Sequence, residues 1–148
     1  LDTPGHTPGH VAFHLPAQGA VFAGDTLFAL GCGRLFEGTP AQMHGSLQTL
    51  AALPSDTLVY CGHEYTLANL EFALSVDPQN PALEARAKDI RTLRAHSDPT
   101  IPTTIALEVA TNPFLRCHVG EVKTAVGMPS GASPTDVFAE VRARKDAF

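Results

Sequence analysis

Four side chains in the first half of the chain, His6, His10, Asp25 and His63, have the types and settings that divalent-metal chemistry needs. Each stands among glycines or prolines, in Gly5-His6-Thr7-Pro8-Gly9-His10, Gly24-Asp25-Thr26 and Gly62-His63-Glu64. These are ends of strand-like segments, where loops from distant parts of a chain converge. Imidazole and carboxylate suit zinc, iron or manganese, and a carboxylate can bridge two ions because it has two oxygens. Singly, each residue has a plainer reading: a histidine beside glycine is commonly a hydrogen-bonded structural group, and aspartate before threonine starts a turn or cap. Convergence in space separates the two. Cations form the second group. Arg34 is the one base in residues 1–83, and Arg142 and Lys145 lie one helical turn apart near the C-terminus. There they could hold an anion or simply complement a helix dipole.

Elements must place these groups. Val11, Phe13 and Leu15 alternate with Ala12 and His14, and residues 20–23 form a short apolar run, so two strands joined by a turn at 17–19 are expected. Leu47, Leu50 and Leu53 make a helical stripe stopped at 54–56, and residues 57–61 follow as a buried strand. Beyond His63 the texture is helical. A helix capped by Thr66 carries Leu67, Leu70 and Leu74 on one side, and another starts at Asn80-Pro81 and runs to about Arg94. In the latter, Glu84 and Lys88 form an exposed i,i+4 pair. Residues 98–113, with Pro99, Pro102 and Pro113, resist assignment, and 120–131 read as a loop. Ser133 to Asp136 opens a last helix that buries Val137, Phe138 and Val141.

The 148 residues are 44% hydrophobic and 17% charged, a composition for a folded core rather than a disordered tract, without a stretch long enough for a transmembrane helix. A net charge of −5 does not favour a nucleic-acid or membrane surface. Residues 1–83 hold seven acids and one base, whereas 84–148 hold eight and nine, so a change of module near 65–85 is expected. Three cysteines without CxxC spacing fit a reducing cytoplasmic setting better than a disulfide framework. The chain opens on Leu1 and runs straight into a dense motif, which reads as the tail of a longer protein.

Three segments, Thr3-Pro4-Gly5-His6-Thr7-Pro8-Gly9-His10, Gly24-Asp25-Thr26-Leu27-Phe28 and Cys61-Gly62-His63-Glu64-Tyr65-Thr66, resemble in order the later motifs of the metallo-β-lactamase superfamily. Gly31-Cys32-Gly33-Arg34-Leu35-Phe36-Glu37-Gly38-Thr39, Asn112-Pro113-Phe114-Leu115-Arg116 and the terminal stretch Val141 to Phe148 resemble the glyoxalase II family of hydroxyacylglutathione hydrolases. The resemblance implies an α+β chain: the second half of a metallo-β-lactamase αββα sandwich over 1–65, then a helical substrate-binding domain over 66–148. It implies a dinuclear centre, two zinc ions in the intact enzyme with iron or manganese tolerated. His6 would serve one ion and His63 the other, Asp25 would bridge them, and His10 would stand behind as an orienting group. The implied reaction is hydrolysis of an S-2-hydroxyacylglutathione thioester, such as S-lactoylglutathione, by metal-activated water, a step of methylglyoxal detoxification without a protein nucleophile. Arg34, Phe36, His63 and Tyr65 would line the glutathione site, and Arg142 with Lys145 would grip its carboxylates. Some relatives carry tyrosine where this chain has Phe36, so that hydroxyl is missing here.

The superfamily's first metal motif, HxHxDH, is nowhere in the sequence. The resemblance therefore implies a part of a hydrolase, inactive by itself because half of each coordination shell is missing. The alternatives are a non-catalytic glutathione-binding fragment and a one-iron persulfide dioxygenase-like enzyme, the latter opposed by Arg142, Lys145 and the helical tail. The partner implied is a small molecule, with no nucleic acid and no membrane.

Overall fold

A computed structural model describes residues 1–148. Its sheet has four strands in the order β1-β2-β5-β6, formed by β1 (Phe13–Leu15), β2 (Ala20–Gly24), β5 (Leu58–Cys61) and β6 (Thr103–Thr104). β1 and β2 form a hairpin closed by a 3-10 turn over Pro16–Gln18 and a left-handed Gly19, φ 58°. β2 and β5 run parallel, and the crossover between them holds a small hairpin, β3 (Leu27–Phe28) with β4 (Gly31–Cys32), and the helix α1 (Pro40–Ala51). α1 begins with a capping box: the Gln42 amide donates to Thr39 Oγ1, and the Thr39 amide donates back to Gln42 Oε1.

Five helices follow or flank β6: α2 (Thr66–Val76), α3 (Pro81–Ala95), α4 (Ile105–Thr111), α5 (Gly120–Ala125) and α6 (Pro134–Ala147). The main core joins Val21, Ala23 and Val59 of the sheet and Met43, Leu47 and Leu50 of α1 to Phe72, Phe114, Phe138 and Val141 of the helical part. One hydrophobic core thus crosses residue 65. A second cluster lies between α2 and α3 and consists of Leu70, Ala73, Leu83, Ala87, Ile90 and, from the β3–β4 turn, Leu30.

Several local expectations change. The alternation in 11–15 does not turn its larger side chains inward: Ala12 is buried, and Val11 and Phe13 are exposed. The unassigned 98–113 stretch contains β6 and α4, whose start is capped by Thr104 Oγ1 accepting from the Leu107 amide. Part of the presumed 120–131 loop is α5. Thr66 is the first residue of α2 rather than its side-chain cap, and its hydroxyl is paired with Thr100 Oγ1 at 2.6 Å. Leu67 is exposed while Asn69, Leu70 and Phe72 face inward. The exposed ion pair at this face links Arg91 of α3 to Glu71 of α2 at 3.1 Å, in place of Glu84 with Lys88. No helix is long and apolar enough to cross a membrane.

Candidate active site

Parallel pairing sets the site. Gly24 at the end of β2 lies opposite Cys61 at the end of β5, and the Gly62 amide donates to the Gly24 carbonyl at 2.9 Å. Asp25 and His63 therefore leave the sheet at the same edge, the carboxyl ends of two parallel strands, where α/β sheets commonly hold ligands. His6 reaches this edge from the N-terminal loop, which is pinned by Ser46 Oγ donating to Pro4 O at 2.7 Å and by Thr26 Oγ1 to Thr3 Oγ1 at 3.1 Å.

His6 Nε2 and His63 Nε2 each lie 3.4 Å from Asp25 Oδ2, so two imidazoles from separate loops address one carboxylate oxygen. His6 Nδ1 is 2.8 Å from the Arg34 carbonyl, to which it can only donate. That bond sets the tautomer and leaves the Nε2 lone pair directed at the Asp25 side. His10 stands behind: its Nε2 accepts from the Asp25 amide at 3.0 Å. Two glycines make the approach feasible. A Cβ at Gly62 would overlap Asp25 Oδ1, and one at Gly33 would overlap the Asp25 carbonyl and lie 3.1 Å from His6 Nδ1.

The donor set, two imidazole nitrogens and a carboxylate, has the chemistry of a zinc, iron or manganese site, and the His6–Arg34 bond supplies the orienting contact such ligands usually have. The set fits a divalent ion as a partial shell. His6, Asp25 and His63 are not drawn into a group of three able to hold an ion by themselves.

Beside these groups lies a pocket of about 410 Å³ lined by His6, Asp25 and His63, by Phe28, Phe36 and Tyr65, and by Arg34, Arg142 and Lys145, among others. Every metal-type and substrate-type residue singled out in the sequence except His10 lines this one cavity. The aromatic wall is ordered by stacking: His63 lies on Tyr65 with centroids 4.7 Å apart, Phe28 meets Tyr65 edge-on at 5.6 Å, and His6 meets Phe36 at 5.1 Å. The His63–Thr66 segment is held by Glu64, whose carboxylate accepts from the Thr100 amide and hydroxyl. Burial opposes ionisation of Glu64, but the Thr100 bonds outweigh it and keep its pKa low.

The basic residues are not equivalent. Arg142 is only 6% exposed; it donates to Cys32 O at 3.0 Å and to Asp146 Oδ1 at 2.9 Å, and its guanidinium lies 5.1 Å from the centroid of the Phe114 ring. Its Nε is buried without a partner. Arg34, 59% exposed, meets the same Asp146 oxygen at 3.3 Å, a rim contact of small energy. Lys145 packs over Phe72 and Phe148, and burial together with the Arg142 charge lowers its pKa. Burial pushes the Cys32 thiol up to about 11 despite Arg142.

Sequence reasoning missed Asn69, Phe28, Cys32 and Gly33 in the lining, and Asp146 as the acid shared by Arg34 and Arg142. Phe28 and Gly33 lie within recognisable motifs. Asn69 lies inside an ordinary helix and carries no local signal.

Residues 64–148 match the family model described as hydroxyacylglutathione hydrolase C-terminus, and residues 1–63 match that of the metallo-beta-lactamase superfamily. Proteins named hydroxyacylglutathione hydrolase from Brucella ovis and Brucella abortus are 59% identical over all 148 residues. The chain spans about 57% of the length of these relatives. Among solved structures, ETHE1 from Myxococcus xanthus matches with a TM-score of 0.57 at 26% identity, over 97% of this chain and 43% of that one. TTHA1623 in a di-iron-bound form matches with a TM-score of 0.51 at 32% identity, over 78% of this chain and 41% of that one.

Proposed function

From the premise that the chain belongs to the hydroxyacylglutathione hydrolase C-terminus family, we propose that it is the substrate-holding part, and a share of the metal-holding part, of a cytoplasmic enzyme that hydrolyses S-2-hydroxyacylglutathione thioesters. In this reading residues 1–65 are the end of the hydrolase domain and 66–148 the substrate-binding domain. The observation that carries it is a single pocket lined both by His6, Asp25 and His63 and by Arg34, Arg142 and Lys145. Glutathione conjugates are anionic, and a metal ion beside a thioester can polarise its carbonyl and activate water.

His6, Asp25 and His63 would hold the ion, zinc in our reading. A bound divalent ion supplies Lewis-acid activation of water and of the carbonyl. The chain's own residues do the rest. The Arg34 carbonyl fixes the His6 ring, and the Asp25 amide is fixed by His10. Phe28, Phe36 and Tyr65 offer an aromatic wall against which the thioester can pack. Lys145 and Arg34 meet the glutathione carboxylates, Arg34 by releasing its weak rim contact with Asp146, while Arg142 stays anchored to Cys32 and adds its charge from below.

One observation favours a second reading, binding of glutathione conjugates without cleavage: the three metal-type side chains form no complete cage in this chain. Calorimetric titration with S-lactoylglutathione, with and without zinc, tests the shared premise and separates the two. Saturable binding that weakens with salt and in Arg34→Ala supports both, zinc uptake that is lost in Asp25→Ala supports the hydrolase part, binding of S-lactoylglutathione without zinc uptake supports the second reading, and absence of binding overturns both.

A further inference from the structure

We propose that the helical part of the chain shapes the glutathione pocket by templating one turn, with Glu108, Asn112 and Asn69 as positioning residues; this rests on the reading of the pocket given above. The turn is that of the β3–β4 hairpin. Its Phe28 and Gly31 carbonyls accept from Asn112 Nδ2 at 3.2 and 3.0 Å, its Ala29 carbonyl accepts from Asn69 Nδ2 at 3.1 Å, and its Leu30 amide donates to Glu108 Oε2 at 2.9 Å. Four backbone groups of the four-residue turn Phe28–Gly31 are thus met by three side chains from the helical part.

The turn does not make this shape unaided. Leu30 has φ 58°, a left-handed conformation that suits glycine or asparagine, and two-residue hairpin loops normally carry those residues. What holds it is tertiary. The Leu30 side chain, fully buried, lodges among Leu70 and Ala73 of α2 and Leu83, Ala87 and Ile90 of α3. Glu108 is itself completely buried, its Oε1 accepting from Arg86 at 2.6 Å and from Thr103 at 2.7 Å, so its other oxygen is rigidly aimed at Leu30. Gly31 has no room for a Cβ because Asn69 fills that space.

Both ends of this hairpin enter the pocket: Phe28 from β3, and Cys32, Gly33 and Arg34 from β4 and the residues beyond it. The Arg34 carbonyl in turn orients His6. The clamp therefore links α2, α3 and α4 to the aromatic wall, the cationic rim and one metal-type histidine. A buried Arg86–Glu108 pair is an expensive way to gain stability, and a role in specifying one conformation accounts for it here.

The test has two arms. In the unmodified chain, hydrogen exchange of the Leu30 amide should be as slow as that of the core helices; exchange at the rate of exposed loops overturns the clamp. In Asn112→Ala, the Kd for S-lactoylglutathione should rise on the order of tenfold. The NMR signals of residues 28–34 should shift while those of β5 stay in place. Lys123→Ala, which loses two hydrogen bonds to Ser130 and Ala132 away from the turn, controls for simple destabilisation and should leave Kd within about twofold. Should Asn112→Ala fail to fold, Glu108→Gln, of nearly unchanged volume, should show the same loss. An unchanged Kd in either folded variant overturns the proposal. If the unmodified chain does not bind S-lactoylglutathione, the reading of the pocket fails, and the Leu30 exchange rate still decides whether the clamp exists.

Discussion

Gly62→Ala should spoil the candidate metal centre while leaving the fold in place. Gly62 follows β5 in a backbone conformation open to any residue, so the added methyl brings no φ strain. Its Cβ, however, would overlap Asp25 Oδ1 and lie 3.5 Å from both Asp25 Cγ and the Gly24 carbonyl. The backbone here is fixed by the Gly62–Gly24 hydrogen bond, so the half-buried Asp25 carboxylate is what moves. A displacement on the order of 1 Å breaks the equal 3.4 Å approach of His6 and His63 to Oδ2, and misplacement of that size is known to cost large factors in function. The affinity for zinc should fall about 10–100-fold, the range seen when support of a metal ligand is lost, or roughly 1.4–2.7 kcal/mol. Stability should change by less than about 1 kcal/mol, because the carboxylate can swing toward solvent. A competitive zinc titration against a fluorescent chelator, paired with a thermal melt, reads both quantities. Zinc affinity equal to that of the unmodified chain would refute the argument that Asp25 is a ligand held in place by the close approach at Gly62.

Glu108→Ala leaves Arg86 buried without a counter-charge and should cost about 3–5 kcal/mol in urea unfolding, whereas the double change Arg86→Met with Glu108→Leu removes the stranded charge but leaves the Leu30 amide and Thr103 hydroxyl without an acceptor, and should recover only part of it. Lys145 has a pKa lowered by burial and by Arg142, and a carboxylate ligand should raise it again. Binding should therefore take up protons in the alkaline range between the free and bound values, with full affinity below the free pKa and loss as pH rises through the bound one. Calorimetry in buffers of different ionisation enthalpy reads this, and Lys145→Gln should abolish it. Burial pushes Cys32 to about 11 and Cys117 to about 12, so both thiols should resist iodoacetamide near pH 8 in the folded chain and react once it is unfolded in urea.

The metal-type residues were legible because glycine and proline punctuate each motif, whereas the parallel pairing that brings Gly24 and Cys61 side by side has no local signal. The period of a strand was legible in 11–15 but its facing was not, since alternation leaves the choice of face to tertiary packing, and the small Ala12 fits the core better than Phe13. The start of α1 carries a local signal in Thr39-Pro40-Ala41-Gln42, the spacing of a capping box. α4 was hidden by the prolines around it. Arg142 shows the limit most plainly. Spacing within a helix could place it beside Lys145, but its burial depends on Cys32, 110 residues away, and on Phe114. The partners of the β3–β4 turn are 40 to 84 residues distant, and asparagine or glutamate inside a helix gives no local sign of such a duty.

The most direct test of the central claim, one pocket serving both a metal ion and glutathione, is a crystal of the chain grown with zinc and glutathione and measured at the zinc absorption edge. The account predicts an anomalous peak bounded by His6 Nε2, His63 Nε2 and Asp25, with the glutathione carboxylates at Arg34 and Lys145. A peak at the histidines outside the pocket, such as His44 or His96, or glutathione bound away from Arg34 and Lys145, would contradict it.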